Sequence, residues 1–187
     1  MELERVDKVT AGAVGEPGER TFFLQARSGQ TTVTILVEKE QVELLCSSIL
    51  EILASVDLET SEGPSEDALE LEPPLEPLFR AGRLSIGYAE DRDLMLLELE
   101  ELVETLEQDE GDEGEPEPEP DPAPEPEGPE PARLRLWVSR EQMLALSRHG
   151  AAVASRGRPR CQFCGNPMDP EGHTCPAMNG HRRPSER

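Results

Sequence analysis

Two stretches of the chain share a pattern of apolar positions that predicts a strand followed by a helix. In the first stretch, Val33, Ile35 and Val37 occupy every second position, as in a strand with one buried face. Apolar residues then recur at steps of three and four, the spacing of one helix face, at Val42, Leu45, Ile49, Ile52 and Val56. This segment therefore predicts a strand near residues 33–37 and a helix that includes residues 42–56.

The second stretch repeats the first one 101 positions later, so that VEKEQV (37–42) matches VSREQM (138–143). Ser139 stands three residues before Gln142, the spacing of a capping box, which satisfies two free N–H groups at the start of a helix. We therefore expect a second helix from about Arg140 to Ser155.

A predicted hairpin precedes each strand–helix pair. Residues 8–14 and 20–28 flank Gly15-Glu16-Pro17-Gly18, which has the chemistry of a tight turn, and residues 79–88 and 94–103 flank a second polar turn. The predicted fold class is therefore α+β, with duplicated β-β-β-α units forming a largely antiparallel sheet of about six strands and two helices on one face. Chance is the alternative to duplication, because strand–helix units commonly look alike over six residues.

Composition divides the chain into four predicted parts. They are a first β-β-β-α unit (1–56), an acidic linker (57–77), a second unit (78–160) with an acidic Glu-Pro insertion at 104–131, and a cysteine-containing tail (161–187). The 187 residues include 18 prolines and carry a net charge of −22, with only 35% hydrophobic and 3% aromatic residues. Such a chain cannot pack along its whole length, because long stretches lack the apolar area to offset ordering entropy.

The Glu-Pro insertion is predicted to be extended and solvated. Of the 25 residues from Glu107 to Pro131, 12 are acidic and 8 are proline. Alternating Glu-Pro disfavours a helix because proline lacks the N–H donor and restricts the residue before it. Two roles remain open: a spacer kept soluble by self-repulsion, or an acidic arm that shields a basic surface of a partner or of the chain's own C-terminal part.

Four side chains near the C-terminal end have the composition of a structural zinc site. Cys161 and Cys164 are separated by two residues, as in a turn around one ion, and Gly165 permits the positive φ at which such a turn often ends. His173 and Cys175 lie two positions apart, so in extended backbone both side chains point to the same side. With four protein ligands no coordination position stays open, so the sequence predicts structural rather than catalytic zinc.

Other interpretations of these residues remain open. The CxxC pair could be a redox dithiol or bind nothing, and His181 could replace His173 as the fourth ligand. A disulfide is disfavoured, because the N-terminus lacks the basic start and apolar region of a secretory signal. Outside this cluster, Cys46 is expected to be a buried core thiol, and His149 an exposed residue near the end of the second helix.

Three motifs resemble those of a known family. They are VGEPGERTFFLQA (14–26), VEKEQV (37–42) and DPEGHTC (169–175) followed by Asn179-Gly180. The chain resembles an uncharacterised bacterial family, catalogued as domain of unknown function 3090, that is found mainly in high-GC Gram-positive bacteria. The resemblance implies a cytoplasmic protein with no established activity, and its pattern matches the ligand set Cys161, Cys164, His173 and Cys175. The Glu-Pro insertion is longer than the family needs.

The sequence favours a non-enzymatic binding or adaptor module with an unknown protein partner. It contains no P-loop, Rossmann glycine fingerprint, HExxH motif or Ser-His-Asp set, and no apolar run long enough to span a membrane. A nucleic-acid binder is one alternative, through the arginines around the tail: Arg156, Arg158, Arg160, Arg182, Arg183 and Arg187. The net charge and the scarcity of stacking aromatics disfavour it. An enzyme or accessory subunit is the other alternative, binding an anion through Arg20, Arg27, Arg80 and Arg83.

Overall fold

A seven-stranded sheet and two helices form the body of the protein in a computed structural model that describes residues 1–56, 58–103, 130–158, 161–168 and 173–178. The elements are β1 (Glu2–Leu3), β2 (Lys8–Val14), β3 (Thr21–Ser28), β4 (Thr31–Val37), α1 (Lys39–Val56), β5 (Pro77–Ala89), β6 (Leu94–Glu101), β7 (Arg133–Val138) and α2 (Arg140–Ser155). Short 3₁₀ helices lie at Glu66–Leu69 and Pro176–Met178. The α+β class and the bounds predicted for α2 are confirmed.

The strand order is β1-β7-β6-β5-β4-β3-β2, and the sheet is mixed. The two meanders β2-β3-β4 and β5-β6-β7 are antiparallel, as predicted. The pairs β4–β5 and β1–β7 are parallel, so the expected largely antiparallel sheet is only partly right. The β4–β5 pair is parallel because α1 and the segment after it carry the chain back to the same end of the sheet. The short strand β1 was not predicted.

The two end strands of the sheet are close neighbours in the chain. Strand β1 ends at Leu3 and β2 begins at Lys8, although they lie at opposite ends of the strand order. Because an extended residue spans at most about 3.5 Å, this short connection brings the two ends of the sheet together. The sheet therefore curves back on itself.

Both helices pack into one core with the strands. Val42 and Ile49 on the apolar stripe of α1 are fully buried, and so are Met143 and Leu146 on α2. Strand residues in the same cluster alternate along the sequence, as Met95, Leu97 and Leu99 of β6, Leu134, Leu136 and Val138 of β7, and Val33, Ile35 and Val37 of β4. The alternating strand residues and the apolar faces of the helices thus pack against each other in one core.

Two glutamines at matching positions hold the starts of the helices in the same way. The side-chain oxygen of Gln41 accepts from the N–H of Glu38 at 2.8 Å, and that of Gln142 accepts from Ser139 at 3.1 Å. Each side-chain amide also donates to two consecutive backbone carbonyls. Gln41 reaches Ala81 and Gly82, at the bulge of β5, and Gln142 reaches Val6 and Asp7, between β1 and β2.

The predicted acidic linker packs on the first meander over part of its length. Leu69 is 2% exposed, and the hydroxyl of Thr10 donates to its carbonyl. Gln25 exchanges two hydrogen bonds of 2.8 Å with the backbone of Glu72, one as donor and one as acceptor. The sequence pattern does not predict that these residues belong to the core. They cover the outer face of β2 and β3, the face opposite the helices.

Several predicted segments lie outside the described residues. They include residues 104–129 of the Glu-Pro insertion, Asp57 of the linker, and residues 159–160, 169–172 and 179–187 around and beyond the cysteine pairs. Within the described parts of the chain, no helix has both the length and the apolar character needed to cross a membrane.

Candidate metal centre

A tight turn positions the first two cysteines of the tail. The N–H of Gly165 donates to the carbonyl of Cys161 at 2.8 Å, and the N–H of Cys161 donates to the carbonyl of Asn166 at 2.8 Å. Gly165 has φ +74°, a left-handed conformation that costs glycine little and other residues more. The sequence therefore folds locally so that both thiols of the CxxC pair lie on the inside of one turn.

The side chains of His173 and Cys175 lie next to those of Cys161 and Cys164. The sulfur of Cys175 lies 3.8 Å from that of Cys161, and Nε2 of His173 lies 3.2 Å from the sulfur of Cys164. All four ligand atoms lie within 4.8 Å of one another. Zinc–sulfur bonds of about 2.3 Å at tetrahedral angles place two sulfurs about 3.8 Å apart. The cluster thus has the spacing that a small tetrahedral cation requires.

Backbone N–H groups favour the metal-binding form of Cys161. Cys161 and Cys175 are buried, whereas Cys164 and His173 are partly exposed. Hydrogen bonds from the backbone N–H groups of Phe163 and Cys164 lower the pKa of the Cys161 thiol, because they stabilise the thiolate. A thiolate is the form that binds a metal.

The structure brings together all four residues that the sequence named, Cys161, Cys164, His173 and Cys175, in a geometry that could bind a metal ion. The alternative ligand His181 lies outside the described residues. The cysteine spacing does not predict the hydrogen bond from the Cys161 N–H to the Asn166 carbonyl that closes the turn. The only signal for this bond in the sequence is that Asn166 directly follows the glycine that ends the CxxC turn.

Most of the chain matches a known protein family. A model described as "Protein of unknown function (DUF3090)" matches residues 1–175. The chain belongs to this family. The resemblance inferred from the three motifs is therefore confirmed. No curated protein and no solved structure matches the chain.

The region that matches DUF3090 extends to Cys175 and so includes all four residues of the cluster. The remaining cysteine, Cys46, lies apart from them on α1. It is 4% exposed, as predicted, and burial raises the pKa of its thiol to about 11. In this DUF3090 protein, Cys46 is therefore a neutral packing residue near pH 7.

The expectation that His149 is exposed is wrong. The side chain is partly buried, and desolvation, followed by the nearby charge of Arg156, lowers its pKa. Glu66 and Glu70, in the acidic segment after α1, act in the opposite direction and raise this pKa, but desolvation outweighs them. His149 is accordingly a neutral residue near pH 7 in this DUF3090 protein.

The four arginines considered as an anion site have different surroundings. Arg20 donates to the carbonyl of Val153 at 3.0 Å, Arg27 pairs with Glu72 at 3.2 Å, and Arg80 pairs with Glu38. None of the ion pairs among the described residues includes Arg83. Arg83 therefore differs from the other three, which already have partners.

A cavity of about 580 Å³ that no sequence pattern predicted lies between the end of α1 and β5. Its lining residues are Ile52, Ser55, Val56, Leu58, Gly87, Tyr88 and Glu90.

Proposed function

We propose that the protein is a zinc-containing, non-enzymatic protein-binding module whose metal holds the C-terminal segment in its folded form. One observation carries the metal assignment: the ligand atoms of Cys161, Cys164, His173 and Cys175 lie within 4.8 Å of one another. Zinc is the cation that fits best, because three thiolates and one imidazole are the donors of structural zinc sites.

The donor set supports a structural role for the metal. Four protein ligands complete a tetrahedral shell and leave no position for water or substrate. The segment around Cys161 exposes 49% of its only aromatic residue, Phe163, so apolar burial contributes little to its folding. Metal ligation would then supply the free energy that holds this segment together.

Three side chains with shifted pKa values support a binding role, because packing or ion pairing explains each shift. Cys46 is buried between the helices, and Glu72 and Asp93 owe their lowered pKa values to hydrogen bonds from Lys8 and Arg140, respectively. These groups serve packing and ion pairing rather than proton transfer. We therefore propose a protein partner as the ligand. The sheet and a metal site with four protein ligands provide surfaces for binding but no reaction centre.

Elemental analysis of protein purified under reducing conditions tests the metal assignment. We expect about one zinc per chain, and loss of that zinc in Cys161→Ser. Cys46→Ser is the matched control, because it removes a thiol outside the cluster and should retain the full zinc content. Metal-free protein, or equal loss of zinc in both variants, would contradict the proposal.

We also infer that the two halves of the sheet are copies of one β-β-β-α unit. Gln41 and Gln142 support this, because each caps its helix and donates to two carbonyls of the neighbouring chain segment. An alignment of family members tests the inference. Related residues at both positions are expected across the family, and unrelated ones would count against it.

A further inference from the structure

The side chains that line the cavity between the end of α1 and β5 offer hydrogen-bond acceptors to a ligand. Among its lining residues, those with polar side chains are Ser55, Tyr88 and Glu90. The Ser55 hydroxyl already donates to the carbonyl of Ile52 at 2.7 Å, and the Tyr88 hydroxyl already donates to Asp93 at 2.7 Å. An ionised carboxylate such as that of Glu90 can only accept. A ligand that pairs with these side chains therefore has to supply the donors.

The charges at the cavity favour a cationic ligand. Glu90 is exposed and takes part in none of the ion pairs found among the described residues. The pKa of Tyr88 is raised, mainly by its hydrogen bond to Asp93 and to a smaller extent by the charge of Glu90, so Glu90 lies near the phenol ring. Helix α1 ends beside the cavity without a basic residue in its last turn, so its own side chains leave the negative end of its dipole uncompensated.

The arginines of the neighbouring elements are engaged elsewhere. The guanidinium of Arg92 lies over the ring of Trp137, 4.4 Å from its centroid, and Arg140 donates to Asp93 at 2.8 Å. Neither arginine lines the cavity. The described part of the chain therefore places no cation of its own among the lining residues.

The walls of the cavity suit an aliphatic stem. Ile52 and Val56 of α1 lie on one side, and Leu58, which is 50% exposed, continues this apolar wall beyond the helix. A lysine side chain has the matching two parts, because its methylene stem packs on apolar surface while its ammonium reaches polar groups. The ring of Tyr88 adds a face on which an ammonium is stabilised.

Strand β5 leaves room for an extended chain beside the cavity. Strand β4 pairs with β5 only at Pro77 and Arg80, so on that side residues 83–89 have no strand neighbour in the described part of the chain. Gly87 and Tyr88 of this stretch line the cavity. Because unpaired strand edges bind extended peptides through main-chain hydrogen bonds, a lysine within a peptide is favoured over a free amine.

We propose that the cavity binds a lysine side chain from an extended basic segment of a partner protein, with the ammonium on Glu90 and the stem against Ile52 and Val56. The inference names the chemistry of the partner in the proposed binding role and rests on that role. The net charge of −22 also favours association with a basic partner.

NMR of the ¹⁵N-labelled full chain tests the proposal with a short peptide of threonine and valine that contains one central lysine. The amide signals of Ser55, Gly87 and Glu90 should shift in a saturable manner, and binding should weaken as salt is added. The same peptide with norleucine in place of lysine keeps the stem and lacks the ammonium. It should bind about fivefold more weakly.

Two exposed serines of α1 provide a matched pair of protein variants. The hydroxyls of Ser47 and Ser55 each donate to the carbonyl three residues earlier, at 2.9 Å and 2.7 Å, but only Ser55 lines the cavity. Ser55→Lys supplies an ammonium to the cavity and should weaken peptide binding at least about tenfold. Ser47→Lys adds the same charge to the same helix and should leave binding nearly unchanged. Equal melting temperatures show that both variants fold.

A second pair of variants isolates the carboxylate. Glu90→Gln should weaken binding about threefold. Glu40→Gln removes an exposed glutamate from the opposite end of α1 and should leave binding unchanged. n-Butylamine, which is the side chain without a peptide backbone, should bind at least about tenfold more weakly than the peptide because it forms no main-chain hydrogen bonds with β5.

Four results would overturn the inference. They are the absence of saturable shifts at the cavity, equal binding of the norleucine peptide, equal effects of Ser55→Lys and Ser47→Lys, and binding of n-butylamine as tight as that of the peptide. Zinc measured on the same preparation separates this inference from the metal assignment. Zinc-loaded protein without peptide binding contradicts this inference alone, and zinc-free protein with cavity-dependent binding contradicts the metal assignment alone.

Discussion

The hydroxyl of Ser147 donates to the backbone carbonyl of Cys46 at 2.8 Å, and these two residues are 101 positions apart, the same offset that relates the two halves of the sequence. Equivalent positions of the two helices therefore meet where α1 crosses α2. The crossing is close, since a Cβ on Gly150 would lie 2.7 Å from the sulfur of Cys46.

Gly150→Ala should destabilise the protein even though alanine favours a helix. The added methyl group overlaps the Cys46 sulfur, and such overpacking costs about 1–3 kcal/mol, which exceeds the gain of about 1 kcal/mol from helix propensity. Urea unfolding of the single variant and of Gly150→Ala combined with Cys46→Ala measures the effect. The double variant should recover the loss, and a single variant more stable than the natural chain would contradict the packing.

Stability should fall in alkaline solution because of Cys46. Burial raises the pKa of this thiol from 9.0 to about 11, so the folded state favours the neutral form. The resulting stability is fully present below pH 9.0 and is lost as pH rises through about 11, by up to about 2–3 kcal/mol. Urea unfolding at several pH values should show this loss in the natural chain and not in Cys46→Ser, and parallel pH profiles would contradict it.

Gly12 and Gly87 each lie two residues before the end of the first strand of a hairpin, and they should respond differently to the same substitution. Gly12→Ala is expected to cost about 1–3 kcal/mol because the methyl group displaces Leu71, and it should expose the segment after α1 to protease. Gly87→Ala has open space and should be neutral, or stabilise by up to about 1 kcal/mol. Chemical unfolding combined with limited proteolysis measures both effects. Equal costs at the two positions would contradict the packing of Leu71 on Gly12.

Asp93 should stabilise the turn between β5 and β6 through its charge. Its carboxylate accepts from Arg140 at 2.8 Å and from the Tyr88 hydroxyl at 2.7 Å, and these bonds lower its pKa from 3.8. The stability that this charge contributes is present above pH 3.8 and is lost as pH falls through the lower pKa of the folded state. Melting temperature against pH should therefore show a steeper acid loss in the natural chain than in Asp93→Asn.

Asparagine is the informative replacement at this position. Asp93 has φ +51°, a conformation that asparagine also tolerates, so Asp93→Asn removes the charge without new backbone strain. Asp93→Ala should lower the melting temperature further, because it adds that strain. If the melting temperatures of the natural chain and of Asp93→Asn fall equally at acid pH, the charge contributes nothing to stability.

Local patterns in the sequence were sufficient to predict several features. Ser139 and Gln142 define the start of α2 because a capping box depends only on spacing, and both of its bonds are present. The spacing of Cys161 and Cys164, with that of His173 and Cys175, similarly indicated the cluster. Each of these signals lies within a few residues of the structure that it specifies.

Features that depend on distant parts of the chain were not predictable in this way. Strand β1 has two residues and no periodic pattern, and it forms by pairing with the distant strand β7, where the backbone N–H of Arg135 donates to the carbonyl of Met1 at 3.0 Å. Leu69 is surrounded by carboxylates and prolines in the sequence, which suggested solvent exposure. It is buried because Thr10 and neighbouring residues on β2 and β3 provide a complementary face.

The zinc-edge X-ray absorption spectrum of the purified protein tests the central claim most directly, because it reports the number and type of ligand atoms. We predict one zinc bound by three sulfurs at about 2.3 Å and one nitrogen at about 2.0 Å. The same spectrum from Cys46→Ser should be unchanged. A shell with fewer than three sulfurs, one containing oxygen, or a protein without zinc would contradict the account.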